Sequence, residues 1–242
     1  MKYLIIFLLF CFTLTNTVSG QEFNKAINKD SLLQTIVKDL PEPKKSELLK
    51  MYNEGDEQTK EFFLIMFSMP RSSKKELISN IDSNFDKISL LKNSYLKLVP
   101  KDYIVSIEYN PADKIASTKE SIDLEIEHIN NKEKDFQQEW NLEYNSKKLM
   151  QMIKPLGWTN ATLITIKKLL ADANCISIEN GDITTIGFAR SGMGKYFFKL
   201  FENDLNSEQI KHYNDSCTYI YYKKNIVLEY GGGAIGPQCF PD

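Results

Sequence analysis

The chain has 242 residues, is 42% hydrophobic and 26% charged, and carries a formal net charge of -2. Those proportions belong to a globular protein and exclude collagen-like, disordered and coiled-coil chains. The slightly acidic balance gives no general attraction for nucleic acid, and two His and four Cys offer little to a histidine-rich metal site.

The first twenty residues read as an export signal. Lys2 supplies a charge, Tyr3 to Leu14 an apolar run of signal-core length, and Val18-Ser19-Gly20 the small residues before a cleavage site, so processing is expected before Gln21. The run is too short to span a bilayer, so no stable membrane span is expected after cleavage. A lipoprotein reading built on Cys11 meets bulky Phe10 where a small residue is needed. Export, periplasmic or extracellular, implies an oxidising compartment. Three cysteines then remain, and the expected pattern is a Cys217–Cys239 disulfide with Cys175 as a buried free thiol.

Residues 21–100 read as a helical region. Asp30-Ser31 starts a helix carrying Leu33, Ile36, Val37 and Leu40, which Pro41-Glu42-Pro43 ends. A second carries Leu48, Leu49 and Tyr52 to Gly55, and a third begins at Asp56. Its stretch Phe62 to Phe67 is apolar nearly all round, which predicts a central helix. Ser72 or Ser73 starts another with Leu77, Ile78 and Ile81, and Phe85, Ile88, Leu91, Tyr95 and Leu98 extend a helical stripe.

Residues 101–242 read as an α+β domain. Tyr103–Tyr109, Ile122–Ile126 and Trp140–Tyr144 alternate as half-buried antiparallel strands, with Asn130-Asn131-Lys132 as a turn. Asn145 or Ser146, and then Thr159, cap two helices. Hairpins follow around Asn180-Gly181-Asp182 and Lys223-Lys224-Asn225, with a strand at Lys195–Phe201 and a short helix from Asn206 or Ser207. The fold class is α+β, and no repeat of 20–50 residues suggests a solenoid or propeller.

Two glycine clusters follow strands of the C-terminal sheet. One is Arg190-Ser191-Gly192-Met193-Gly194-Lys195-Tyr196, the other Gly231-Gly232-Gly233-Ala234-Ile235-Gly236. Glycines with two cations suit a carboxylate or phosphate. A phosphate-binding loop is excluded because the Gly-Lys-Ser/Thr ending and the following helix are missing. A bulge with tight turns is the competing structural explanation.

Motifs for catalysis are absent. His128 and His212 have no metal spacing, and Ser191 lacks the flanking glycine of a nucleophile elbow. The expectation is therefore an exported binding module with no cofactor and no metal. Arg190, Ser191, Gly192, Gly194, Lys195, Tyr196, Gly231, Gly232 and Gly233 would face an envelope protein or an anionic ligand, with Tyr219 and Tyr221 nearby. Replacing Arg190 and Lys195 by alanine should then leave stability unchanged. The alternative is an envelope hydrolase or transferase using Cys175 or carboxylates among Glu125, Glu127, Glu139, Glu143 and Glu229, residue types able to act as nucleophile or acid/base pair.

The runs Asn174–Gly181, Gly187–Tyr196 and Leu228–Gly236 resemble segments of uncharacterised secreted proteins of Bacteroidota, which implies export and a bacterial origin but no activity. Ser191-Gly192-Met193-Gly194-Lys195-Tyr196 is also similar to the Ser-Gly-Ser-Gly-Ala-Arg-Tyr loop of C-type lysozyme inhibitors. It is one residue shorter, with Lys195 at the position of the arginine, and this likeness implies a protein partner.

Overall fold

A computed structural model describes residues 23–116, 118–130, 136–232 and 236–241. The export signal, its cleavage before Gln21, the Asn131-Lys132 part of the expected turn, and Gly233 lie outside them.

Among the described residues, four helices come first. Helix α1 (Lys29–Val37) is capped by Asn28, whose side chain accepts from the Ser31 amide, so it starts slightly earlier than Asp30-Ser31 suggested. Helix α2 (Glu42–Glu54) begins directly after Pro41, so the prolines that close one helix also open the next. Asp56 caps α3 (Glu57–Ser68). Ser73 with Glu76 forms a capping box on α4 (Lys74–Leu98), a reciprocal pair that satisfies two free amides. The two expected segments of α4 are one helix bent at Asn84, whose φ of -121° and ψ of 19° leave the helical region.

Eight strands then form one antiparallel sheet: β1 (Tyr103–Asn110), β2 (Ser121–His128), β3 (Gln137–Leu142), β4 (Ser177–Glu179), β5 (Thr184–Ser191), β6 (Gly194–Leu200), β7 (Tyr219–Lys223) and β8 (Ile226–Gly231). Their spatial order is β3-β2-β1-β4-β5-β6-β8-β7. Between strands lie α5 (Lys147–Ile153), α6 (Asn160–Asp172) and α7 (Ser207–His212), capped by Ser146, Thr159 and Asn206. The fold is α+β, as alternation and capping residues indicated.

Alternate strand residues face α4, α5 and α6. Val105, Ile107 and Tyr109, then Ile122, Leu124 and Ile126, then Tyr196, Phe198 and Leu228 make the main core with Leu77, Ile81, Leu91, Tyr95, Leu163 and Ile166. Buried polar groups in such a core need partners, and these have them. Tyr95 donates to the Val105 carbonyl at 2.8 Å, Tyr109 to the Leu163 carbonyl at 2.7 Å, and Trp158 to the Leu98 carbonyl at 2.8 Å. Asn80 binds the Ala173 and Asn174 carbonyls, joining α4 beside its bend to the end of α6.

Helices α1–α3 make a second core of Phe23, Leu33, Val37, Leu48, Tyr52, Phe63 and Leu64, joined by Ile115 of the β1–β2 connection. This corrects the expectation for Phe62–Phe67. The helix anchors a small satellite core rather than the centre, and Phe62 is 61% exposed. The third strand also differs. It runs from Gln137 to Leu142, bulges after Glu139, and leaves Trp140 62% exposed, with Asn141 at a φ of 56°. Two residues opposing one on β2 rotate the indole out of the alternation that would have buried it. Among the described residues, no helix is long and apolar enough to cross a membrane.

Candidate functional site

Because α4–α6 cover one face of the sheet, the opposite face carries the other half of each alternating strand. On β1 these residues are Ile104, Ser106 and Glu108; on β2, Asp123, Glu125 and Glu127; on β4, Ser177 and Glu179. On β5 and β6 they are Thr185, Arg190, Lys195, Phe197 and Lys199. Helix α7 covers only the β8–β7 end, where Phe201, Leu205 and Val227 pack with Ile210, Tyr213, Tyr219 and Tyr221.

Glu108 is 7% exposed and organises the middle of this face. Lys195 donates to its Oε2, and the Arg190 guanidinium lies 2.6 Å from Oε1, close in charge but out of line for a hydrogen bond. Arg190 also donates to Asn110 Oδ1 at 3.2 Å and lies 3.8 Å from Asp123. Lys195 stands 5.2 Å from the Phe197 ring centre. A buried carboxylate needs such partners, and two cations supply them.

A second row crosses the face one register step away. Ser106 lies opposite Glu125 on one side and Glu179 on the other. Burial pushes the Glu179 carboxyl above the usual range, and Glu125 adds to the rise. Burial likewise raises Glu125, reinforced by Glu127. Gln138 donates to Glu125 at 2.8 Å. Among the described residues, neither Glu125 nor Glu179 forms an ion pair. Phe136 and Trp140 flank Gln137–Glu139 at this edge of the sheet. Phe136 is 49% exposed and Trp140 62%.

The glycine clusters have structural duties. Gly192, with a φ of 61°, opens a two-residue hairpin between Ser191 and Gly194. Glycine in the first turn position is the pattern of a II′ hairpin. The Gly192 amide donates to the Pro70 carbonyl at 2.8 Å, and the Ser191 hydroxyl donates to the Ser72 carbonyl at 2.9 Å. The turn is thus fastened to the α3–α4 linker. Tyr196 is fully buried, 4.6 Å from the Tyr230 ring centre and 5.9 Å from Phe240. Gly231 has a φ of 127°, and a Cβ there would stand 2.7 Å from the Gly236 carbonyl oxygen. Gly232 donates to that same carbonyl at 2.8 Å. This cluster folds the tail back, and the Cys217–Cys239 disulfide fastens it beside β7. Of the residues expected to meet a ligand, the structure brings Arg190 and Lys195 together, and it gives both to Glu108.

Cys175 is buried, and burial pushes its thiol up to about 12. Asn80 reaches its sulfur at 3.8 Å. A buried thiol so raised supplies little thiolate, which speaks against a nucleophilic role. Among the other named carboxylates, Glu139 pairs with Lys148, Glu143 with Lys119 and Glu229 with Lys199. His128 stacks edge-on with Tyr103, and His212 with Tyr213. Among the described residues, no three metal-type ligands converge. Two depressions of about 480 and 170 Å³, beside α7 and α4, contain none of the acidic row.

Sequence reading missed Glu108, Ser106 and Glu179. The alternation of β1 already placed Glu108 opposite the apolar face, but only strand register puts it beside Arg190 and Lys195. No family model matches the chain, and no curated protein and no solved structure is significantly similar to it.

Proposed function

We propose that this chain is an exported binding module of the bacterial envelope that holds its partner on the open face of its sheet. The observation that carries this reading is the face itself. Helices cover one side of all the central strands, while the other side presents charged side chains with exposed aromatics at its edge, and neither depression described above takes in the acidic row. Ligand sites that perform chemistry are usually concave and shielded, whereas recognition of a large partner uses a broad surface with a polar surround. The Cys217–Cys239 disulfide supports an oxidising compartment, and the runs similar to secreted Bacteroidota proteins support the envelope.

The test is capture from an envelope extract by the chain exported under its own leader, beside a Ser106→Arg variant. Ser106 lies between Glu125 and Glu179, so the new cation is neutralised in place while its bulk occupies the face. The expected outcome is a protein held by the native chain and lost by the variant, with Tm unchanged within about 3 °C, less than about 2 kcal/mol for this size. Equal capture by both would remove the open face as the binding surface.

A hydrolase reading retains one specific support, the raised pair Glu125 and Glu179 flanking Ser106. Directly opposite positions on alternate strands place their backbones about 10 Å apart, a span that admits a water between two carboxyl groups. Turnover of an envelope polysaccharide abolished in Glu179→Gln, with capture intact, would favour it over binding.

A further inference from the structure

The two edges of the sheet are finished differently. At β7 the Tyr219 amide donates to Asp215 Oδ1 at 2.9 Å, and the Tyr221 amide donates to Asn214 Oδ1 at 3.3 Å. Those side chains occupy the donors that another strand would need. At the other end, β3 has β2 on one side and, among the described residues, no strand on the other. Natural edges are usually blunted by charge, bulge or cover. Here the bulge begins only after Glu139, so Gln137, Gln138 and Glu139 keep a regular ladder. Trp140 stands at its end, among the most exposed large apolar residues described.

We propose that the β3 edge docks an extended, lysine- or arginine-rich segment of a partner protein, which adds alongside Gln137–Glu139 as a further strand and sets its cations over Trp140 and the β2 carboxylates. The proposal rests on the binding-module reading and names the partner chemistry for it. Strand addition draws affinity from main-chain bonds and specificity from alternate side chains. An added strand lies two spacings, about 10 Å, from β2, so long cationic side chains on its open-face positions lean across Gln138 toward Glu125 and Glu127. An exposed indole adds cation–π attraction.

Charge selects among occupants. A second copy paired through β3 would bring its own β2 carboxylates to the same face, about 14 Å away, rather than cations, and nucleic acid or an anionic bilayer would meet repulsion. The raised carboxyl of Glu125 agrees, because a nearby cation relieves the cost of its charge.

The test uses the exported, disulfide-bonded chain and an end-capped nine-residue peptide alternating lysine with threonine and valine. Trp158 is buried and the chain has two tryptophans, so an emission change on titration reports Trp140. The expected result is a saturable blue shift with micromolar affinity. It should weaken at least tenfold in Glu125→Gln/Glu127→Gln, at least tenfold with a peptide N-methylated at alternate backbone positions, and vanish with glutamate in place of lysine. Equal binding of the N-methylated peptide overturns strand addition, and equal binding of the acidic peptide overturns charge selection. A dimer by sedimentation that Trp140→Ser abolishes gives the edge to a second copy instead. If no peptide binds while Ser106→Arg still abolishes capture, this edge is wrong and the binding module stands. If capture also fails, both readings fall.

Discussion

Glu108 shows how one side chain changes the meaning of its neighbours. Arg190 and Lys195 read as ligand-seeking cations until strand register sets both against a carboxylate that is 7% exposed. An external anion would have to displace that internal one. Removing one partner from a buried ionic group leaves the remaining charge uncompensated, at a cost of about 3–5 kcal/mol. Glu108→Ala should therefore lower the Tm by about 6–20 °C, measured by circular dichroism. Arg190→Ala/Lys195→Ala should also destabilise, contrary to the expectation drawn from the glycine-rich loop. Replacing all three by apolar residues of similar volume should recover most of the loss. A double variant as stable as the native chain would show that Glu108 is adequately solvated without its cations.

Among the elements, the described part of the tail after β8 has little secondary structure but several ties. Gly231 pairs with Pro237, the Phe240 amide donates to the Cys217 carbonyl at 2.9 Å, and Cys217 is bonded to Cys239 across 22 residues. Replacing both cysteines by serine should cost about 3 kcal/mol through the freed loop. The near-ultraviolet signal of Tyr196 and Tyr230 should change as Phe240 leaves them. An unchanged Tm would show that the glycine fold-back holds the tail alone. How far such elements are legible depends on whether their signal is local. Ser73, Ser146, Thr159 and Asn206 announce helices because capping is completed within one turn. The strands at Tyr103 and Ile122 show their alternation because one face is fully buried. The bulge at Trp140 depends on an Asp123 side chain accepting from the Asn141 amide at 2.8 Å, from another strand. The exposure of Phe62 depends on which helices assemble around it. Neither is written in a window of neighbouring residues, and the candidate site was obscured for the same reason, since the cations that meet Glu108 come from distant strands.

At the scale of the molecule, two apolar cores share one chain. The helices α1–α3 close the smaller one, and backbone bonds from Asn24 to Ile115 and from Gly192 to Pro70 connect it to the sheet. Few buried contacts cross that junction, so local opening should be easier there than in the sheet. Native-state hydrogen exchange should show α1–α3 opening at a lower free energy than α4, β1 and β6. A single common opening energy would mean that the two cores act as one. The side chains of Asn214 and Asp215 on β7 have a further consequence for assembly. A sheet with two live edges can be extended without limit, whereas a sheet with one can be extended once. With the outward amides of Tyr219 and Tyr221 already occupied, a chain that adds a strand at β3 would act as a terminus rather than a link, ending a growing β-sheet instead of propagating it.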